Sequence, residues 1–269
     1  MTSPVAVAAT APFGADVLER LAARRPVTAL LTRPDAPAGR GRKLVSPPAK
    51  DVADSLGIPV LQPQRLAPEL DLDASLVVAV AYGVIVPEDV LAERRWLNVH
   101  PSLLPRWRGA APVERALMAG DTETGVTIIE LVKELDAGPI AAQQAFAIRP
   151  QDDAGAVYTT AAEVAVELLE RVLDDPASEL RPQPDDGVTY ANKIEPSDRE
   201  LDLERPAPEL VDRVRALSPH IGARAVLHGR RVTVWRARVG SDDGFEPLEV
   251  QPEGKRSMSY EAWLRGLRE

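Results

Sequence analysis

Two side chains in the sequence are spaced so that they could stabilise a developing negative charge together. In "NVHPSLLPRWRGAAP" (98–112) the amide of Asn98 and the imidazole of His100 stand two positions apart. In an extended segment, positions i and i+2 share a face, so both would project into one cleft. An Asn NH₂ and a His N–H can then donate jointly to an oxyanion, the charge that acyl transfer creates. The ordinary alternative is a pair of polar residues closing a strand. Asp136, in "KELDAG", adds a carboxylate that could orient the imidazole, favour its charged form or take a proton from a nucleophile. A plain turn aspartate would look the same. "SLLP" (Ser102, Leu103, Leu104, Pro105) offers two leucines for a flat ring and a proline that stiffens the turn, or else a loop anchored in the core. Two arginines follow it as a positive rim.

The elements that must hold these residues follow from hydrophobic pattern. "VAVAA" (5–9), "VTALLT" (27–32) and above all "SLVVAVA" (75–81) are continuous apolar runs, as buried parallel strands are. Val17, Leu18 and Leu21 form a helix face between the first two, so the start reads as βαβ units. "WLNV" (96–99) is a shorter strand. If it is parallel, His100 lies just past its C-terminal end, the edge where open α/β sheets bind ligands. "YG" (Tyr82, Gly83) closes the central strand, where it could bring backbone close to a ligand or simply turn the chain. "VTIIELV" (126–132) and "IAAQQAFAI" (140–148) form a strand pair, with Asp136 in the turn between them. Val157, Ala161, Val164, Leu168 and Val172 mark an amphipathic helix. The Pro- and acid-rich stretch 174–187 reads as a linker. A smaller unit follows, with a helix near 207–216, a β stretch "RRVTVWRARV" (230–239) and a terminal helix near 260–267. Alternation puts Val232, Val234 and Arg236 on one face of that stretch, and Arg231, Thr233, Trp235 and Ala237 on the other.

The 269 residues are 45% hydrophobic, enough for one large domain and a small one. Without cysteine, neither disulfides nor thiolate metal sites are possible, and the three histidines show no metal-ligand spacing. No apolar run reaches the length of a membrane span, and the N-terminus lacks a basic leader, so a cytoplasmic chain is expected. The net charge of −9 argues against nucleic acid until its distribution is read. Residues 33–50 carry Arg33, Arg40, Arg42, Lys43 and Lys50 against Asp35 alone, and residues 209–238 carry seven arginines against Glu209 and Asp212. "PAGRGRK" (37–43) could be a mobile basic loop that grips phosphates, or a solvated loop.

The block "NVHPSLLPRWRGAAP" with "GDTETGVTIIELVKELDAGPI" resembles the formyltransferase family that uses 10-formyltetrahydrofolate. "RPDAPAGRGRKLVSPPAKDVADSLGIPVLQP", "VVAVAYGVIVP" and the C-terminal "TYANKIEPSDRELD" narrow the resemblance to the branch that acts on methionyl-tRNA, over almost the whole chain. The resemblance implies an α/β fold: a Rossmann-like catalytic domain (1–186), a linker (187–206) and a small OB-like barrel (207–269). It implies Asn98, His100 and Asp136 as catalytic residues, with Ser102, Leu103, Leu104, Pro105, Tyr82 and Gly83 at the folate. Arg33, Arg40, Arg42 and Lys43 would lie on initiator methionyl-tRNA. A metal-free, monomeric enzyme follows, transferring formyl from 10-formyltetrahydrofolate to the methionyl amino group. The rivals are a relative that formylates an amino sugar or glycinamide ribonucleotide, and a non-catalytic RNA-binding protein. Two departures from the family stand out. Ala9 occupies a position usually held by Gly, and only about three barrel strands are visible where an OB-fold has five.

Overall fold

The computed structural model describes residues 4–38, 42–70, 72–175 and 179–268. From the N-terminus the chain forms β1 (Val5–Ala9), α1 (Pro12–Ala22), β2 (Val27–Leu31), the short β3 (Ala36–Ala38) and β4 (Lys43–Val45), and α2 (Pro48–Leu56). Then come β5 (Val60–Leu61), β6 (Leu76–Val80), α3 (Glu88–Glu93), β7 (Arg95–His100), β8 (Arg108–Gly109) and α4 (Pro112–Met118). β9 (Glu123–Glu130), β10 (Ile140–Ala147), α5 (Ala154–Asp174) and β11 (Tyr190–Ala191) follow. The last elements are α6 (Ala207–Leu217), β12 (Ala223–Leu227), β13 (Arg230–Val239), β14 (Phe245–Pro252), β15 (Met258–Ser259) and α7 (Tyr260–Arg268).

These elements group into two compact units. The first holds residues 1–108, 125–145 and 159–189; the second holds 109–124, 146–158 and 190–269.

The first unit is built on a seven-stranded sheet of order β10-β9-β7-β6-β1-β2-β5. β1 pairs in parallel with both β2 and β6, and β7 pairs in parallel with β6 but antiparallel with β9. All five residues of β1 are buried, as a strand covered on both faces must be. The chain reverses its direction of winding between β1 and β6, which makes the carboxyl ends of these strands the topological switch point. Ala9 is fully buried there, and it fits because residue 14 is glycine: a Cβ on Gly14 would lie 2.8 Å from that of Ala9 and 2.5 Å from the Val80 carbonyl oxygen. The helix expected from Val157 to Val172 is α5, and all five of its marker residues are buried. Each valine and leucine among them contributes roughly 1.5–3 kcal/mol over exposure.

The second unit contains a four-stranded sheet, β12-β13-β14-β15, one strand below a full barrel and with β15 only two residues long. α6 lies on it and closes a core of Leu210, Val214, Leu217, Val232, Val234, Val250 and Trp263. Simple alternation fails in β13. Between Val234 and Ala237 the pairing with β14 shifts, so Ala237 joins the core and Arg236 is exposed, against expectation. An extra residue in each strand restores the register, as bulges do. Of the seven arginines in 209–238, Arg213, Arg215, Arg224 and Arg238 are held by Asp198, Asp212, Glu200, Glu246 or backbone carbonyls. Arg230, Arg231 and Arg236 have no partner among the described residues.

Candidate active site

β7 places the two polar side chains. Asn98 pairs with Ala79 on one side and Ile129 on the other, and His100 pairs with Thr127. Pleating puts Trp96, Asn98 and His100 on one face. His100 is the last residue of the strand, not the first beyond it, so its ring is as fixed as the sheet. It is 4% exposed. Its Nε2 donates to the Trp107 carbonyl oxygen at 2.8 Å. A carbonyl only accepts, so this contact places the hydrogen on Nε2 and turns Nδ1 toward Asp136. Nδ1 lies 3.6 Å from Oδ2 of Asp136, and Asn98 Nδ2 donates to Oδ1 at 3.3 Å. One carboxylate is therefore bracketed by an amide and an imidazole. The firmest grip on the ring is that of Trp107, while Asp136 stands off at more than hydrogen-bond length.

Asp136 enters this site from residues 131–139 between β9 and β10, as expected. Its φ is +49°, and Ala81 (+45°) and Trp107 (+65°) share the left-handed region. Such non-glycine conformations cost about 1–3 kcal/mol each and persist where surrounding contacts over-determine them, typically at functional sites. Gly138 is required by close approach: a Cβ there would overlap the Glu130 carbonyl oxygen.

The turn after His100 is fixed through side chains that sequence reasoning missed. Thr127 Oγ1 donates to the Ser102 carbonyl at 2.7 Å, and accepts from Leu104 N–H at 3.1 Å and Gln143 Nε2 at 2.8 Å. Gln143 also donates to the Leu104 carbonyl. Ser102 is fully buried with its hydroxyl on the Arg106 carbonyl, and Leu104 sits in the core with Ile129 and Ile140. These two side chains are thus committed to structure, leaving Leu103 and Pro105, both half-buried, as the faces of "SLLP" that can meet a ligand. The expected positive rim also changes. Arg106 lies over the Trp107 ring at 4.4 Å, and Arg108 is bound through Nε and Nη2 to Gln183 Oε1 at 3.1 and 2.7 Å.

From residue 179 on, the stretch read as a linker runs as a strap. Arg181 exchanges both backbone hydrogen bonds with Ile140. Gln183 Nε2 donates to the carbonyls of Asp136 and Gly138, each at 2.8 Å. Thr189 accepts from Trp107 N–H through Oγ1 at 2.8 Å and from Arg108 N–H through its carbonyl at 2.9 Å. No local pattern announces these contacts, because each joins residues far apart in sequence.

Tyr82 is buried, and burial pushes its phenol up to about 12. Its carbonyl accepts from Thr10 Oγ1 at 2.8 Å. Gly83, by contrast, is exposed with φ +71°. Beyond it Ile85 is 86% exposed, and in the Asp136 segment Leu135 is 65% exposed. Lys133 and Glu88 join these two segments at 3.2 Å. Exposed apolar side chains beside converging polar groups are what a small-molecule site presents.

The basic loop is a hairpin, β3 with β4, in which Ala38 pairs with Lys43. Arg33, Arg42 and Lys43 are exposed on and beside it, while Lys50 is paired with Asp54. Arg40 lies outside the described residues. Among the described residues no group of three or more His, Asp or Glu is arranged to hold a metal, and no helix is long and apolar enough to cross a membrane.

The chain matches the family model "Formyl transferase" over residues 3–173 and "Formyl transferase, C-terminal domain" over 193–248. It is 39% identical to the methionyl-tRNA formyltransferase of Paracoccus denitrificans, covering 96% of this chain and 95% of that protein. It is 46% identical to the one from Xanthomonas euvesicatoria, over 84% of this chain and 77% of that protein. A likely sugar N-formyltransferase from Mycobacterium tuberculosis shares the fold, with a TM-score of 0.66 at 24% identity over 87% of this chain and 96% of that one. So does HypX from Aquifex aeolicus in complex with tetrahydrofolic acid, with a TM-score of 0.66 at 18% identity over 97% of this chain and 46% of that one. With Asn98, His100 and Asp136 converging on the edge of such a sheet, the chain belongs to the formyltransferase family, in the branch of the methionyl-tRNA formyltransferases.

Proposed function

We propose that this protein transfers the formyl group of 10-formyltetrahydrofolate to the α-amino group of initiator methionyl-tRNA, in the cytoplasm. The observation that carries the reading is the Asp136 carboxylate bracketed by Asn98 and His100 at the end of β7. Asn98 retains a second amide hydrogen for the formyl oxygen, and His100, whose Nε2–H is already given to the Trp107 carbonyl, offers Nδ1–H to the same oxygen in its doubly protonated form. Both stabilise the oxyanion that forms when the amine attacks the formyl carbon. Asp136 takes the proton that the amine loses as its C–N bond forms. That proton passes to N10 as the bond from N10 to the formyl carbon breaks, so tetrahydrofolate leaves neutral at that nitrogen. Leu103, Pro105, Ile85 and Leu135 supply apolar surface to the folate ring. Arg33, Arg40, Arg42 and Lys43 meet phosphates of the tRNA, and the basic hairpin is what a formyltransferase acting on a small amino sugar would not need. In this reading the enzyme acts as a monomer. We take 1–186 as the catalytic domain and 207–269 as the accessory domain, while the compact units group 109–124, 146–158 and 190–206 with the latter.

The test is formyl transfer by purified protein with 10-formyltetrahydrofolate and methionyl-tRNA, with Asp136→Asn as the blank. Formylmethionyl-tRNA is the expected product. Transfer to a nucleotide-linked amino sugar in its place would overturn the assignment.

A further inference from the structure

Gln183 uses every hydrogen-bonding position of its amide. Its two N–H groups go to the carbonyls of Asp136 and Gly138, and its oxygen takes both Nε and Nη2 of Arg108. The backbone presents it rigidly: Gln183 lies between Pro182 and Pro184, which fix their own φ and hold the residue before each proline extended. Its two ends reach the two parts of the site that must be registered. One is the left-handed turn that carries the Asp136 carboxylate. The other is Arg108, bonded in sequence to Trp107, whose carbonyl orients the His100 ring.

We propose that Gln183 is a positioning residue for formyl transfer: by tying the Asp136 turn to Arg108 it sets the separation between the Asp136 carboxylate and His100. The proposal rests on the reading of Asn98, His100 and Asp136 as the catalytic set. Gln183 touches no reacting atom, so its removal should slow the chemical step without weakening substrate binding. A side chain that merely stabilised the strap would instead lower stability or raise both KM values.

Two substitutions separate the halves of the clamp. Gln183→Glu keeps an acceptor for Arg108 but sets a carboxylate oxygen against the carbonyls of Asp136 and Gly138. Gln183→Met keeps the length and removes both halves. Misplacing a catalytic group by about 1 Å costs on the order of 10²-fold. Both variants should therefore lose ~10–100-fold in kcat while the KM for each substrate stays within about twofold. Gln183→Glu retains the Arg108 anchor, so it gives the answer if Gln183→Met fails to fold. A folded Gln183→Glu protein with wild-type kcat, or one whose loss lies in KM, overturns the proposal while leaving the catalytic assignment intact. Absence of formyl transfer by the wild-type protein would instead sink the functional reading itself.

Discussion

The imidazole of His100 is held by the backbone of Trp107 through an Nε2–H···O bond of 2.8 Å. The ring's other nitrogen is thereby aimed, and it needs no contact with Asp136 to stay in place. The residue that supplies the acceptor has a left-handed backbone, so the turn that follows β7 is shaped around this bond. An oxyanion donor fixed in advance costs no reorganisation during the reaction, and its loss typically lowers the rate by about 10²–10³. Asn98→Ala and His100→Ala are each expected to lose activity on that order while remaining folded. Near-normal turnover by either folded variant would remove that residue from the mechanism.

The hairpin β3–β4 carries Arg42 and Lys43, with Arg33 shortly before it, and none of the three has an acidic partner among the described residues. Each phosphate contact adds roughly 0.7–0.9 to the slope of log affinity against log salt. Alanine at Arg42 should raise the KM for methionyl-tRNA and flatten its salt dependence, with the folate KM unchanged. If a variant with alanine at Arg33, Arg42 and Lys43 binds methionyl-tRNA like wild type at two salt concentrations, the hairpin is a bystander. Attention would then shift to Arg230, Arg231 and Arg236.

What could be read from the sequence was whatever repeats locally. The buried strands β1, β2 and β6 announce themselves as apolar runs, α5 by its spacing, and Asn98 with His100 by the two-residue period of β7. Gln183, Thr127, Gln143 and Thr189 were invisible for a common reason. Each works through a side-chain hydrogen bond to distant backbone, and no periodicity encodes that. Arg236 was misplaced because alternation assumes an unbroken ladder, and paired bulges break it. Ser102 and Leu104 lie within a motif whose chemistry suggests a ligand, yet burial commits their side chains to the fold.

The second unit contains two carboxylates whose titration should affect stability in opposite directions. Burial raises Glu114, while Tyr158, which donates to it at 3.0 Å, only partly offsets that penalty. Glu114 therefore favours its protonated form in the fold. Its stabilising contribution is complete below the unfolded carboxyl range, near 4.5, and is lost as pH rises through its higher folded value. Asp198 is held below its usual 3.8, chiefly by the hydrogen bond from Arg115 at 2.7 Å. Its contribution is complete above that value and is lost as pH falls through the lower folded one. Urea midpoints measured from pH 3 upward should separate the two. Relative to wild type, Glu114→Gln, which still accepts from Tyr158, should gain stability as pH rises above about 4.5. Asp198→Asn should be weakest near neutrality and approach wild type in acid. If Glu114→Gln were destabilised by the same amount at every pH, the Glu114 charge would be contributing nothing unfavourable, and the burial of this α4 side chain would be compensated by contacts other than the Tyr158 hydrogen bond.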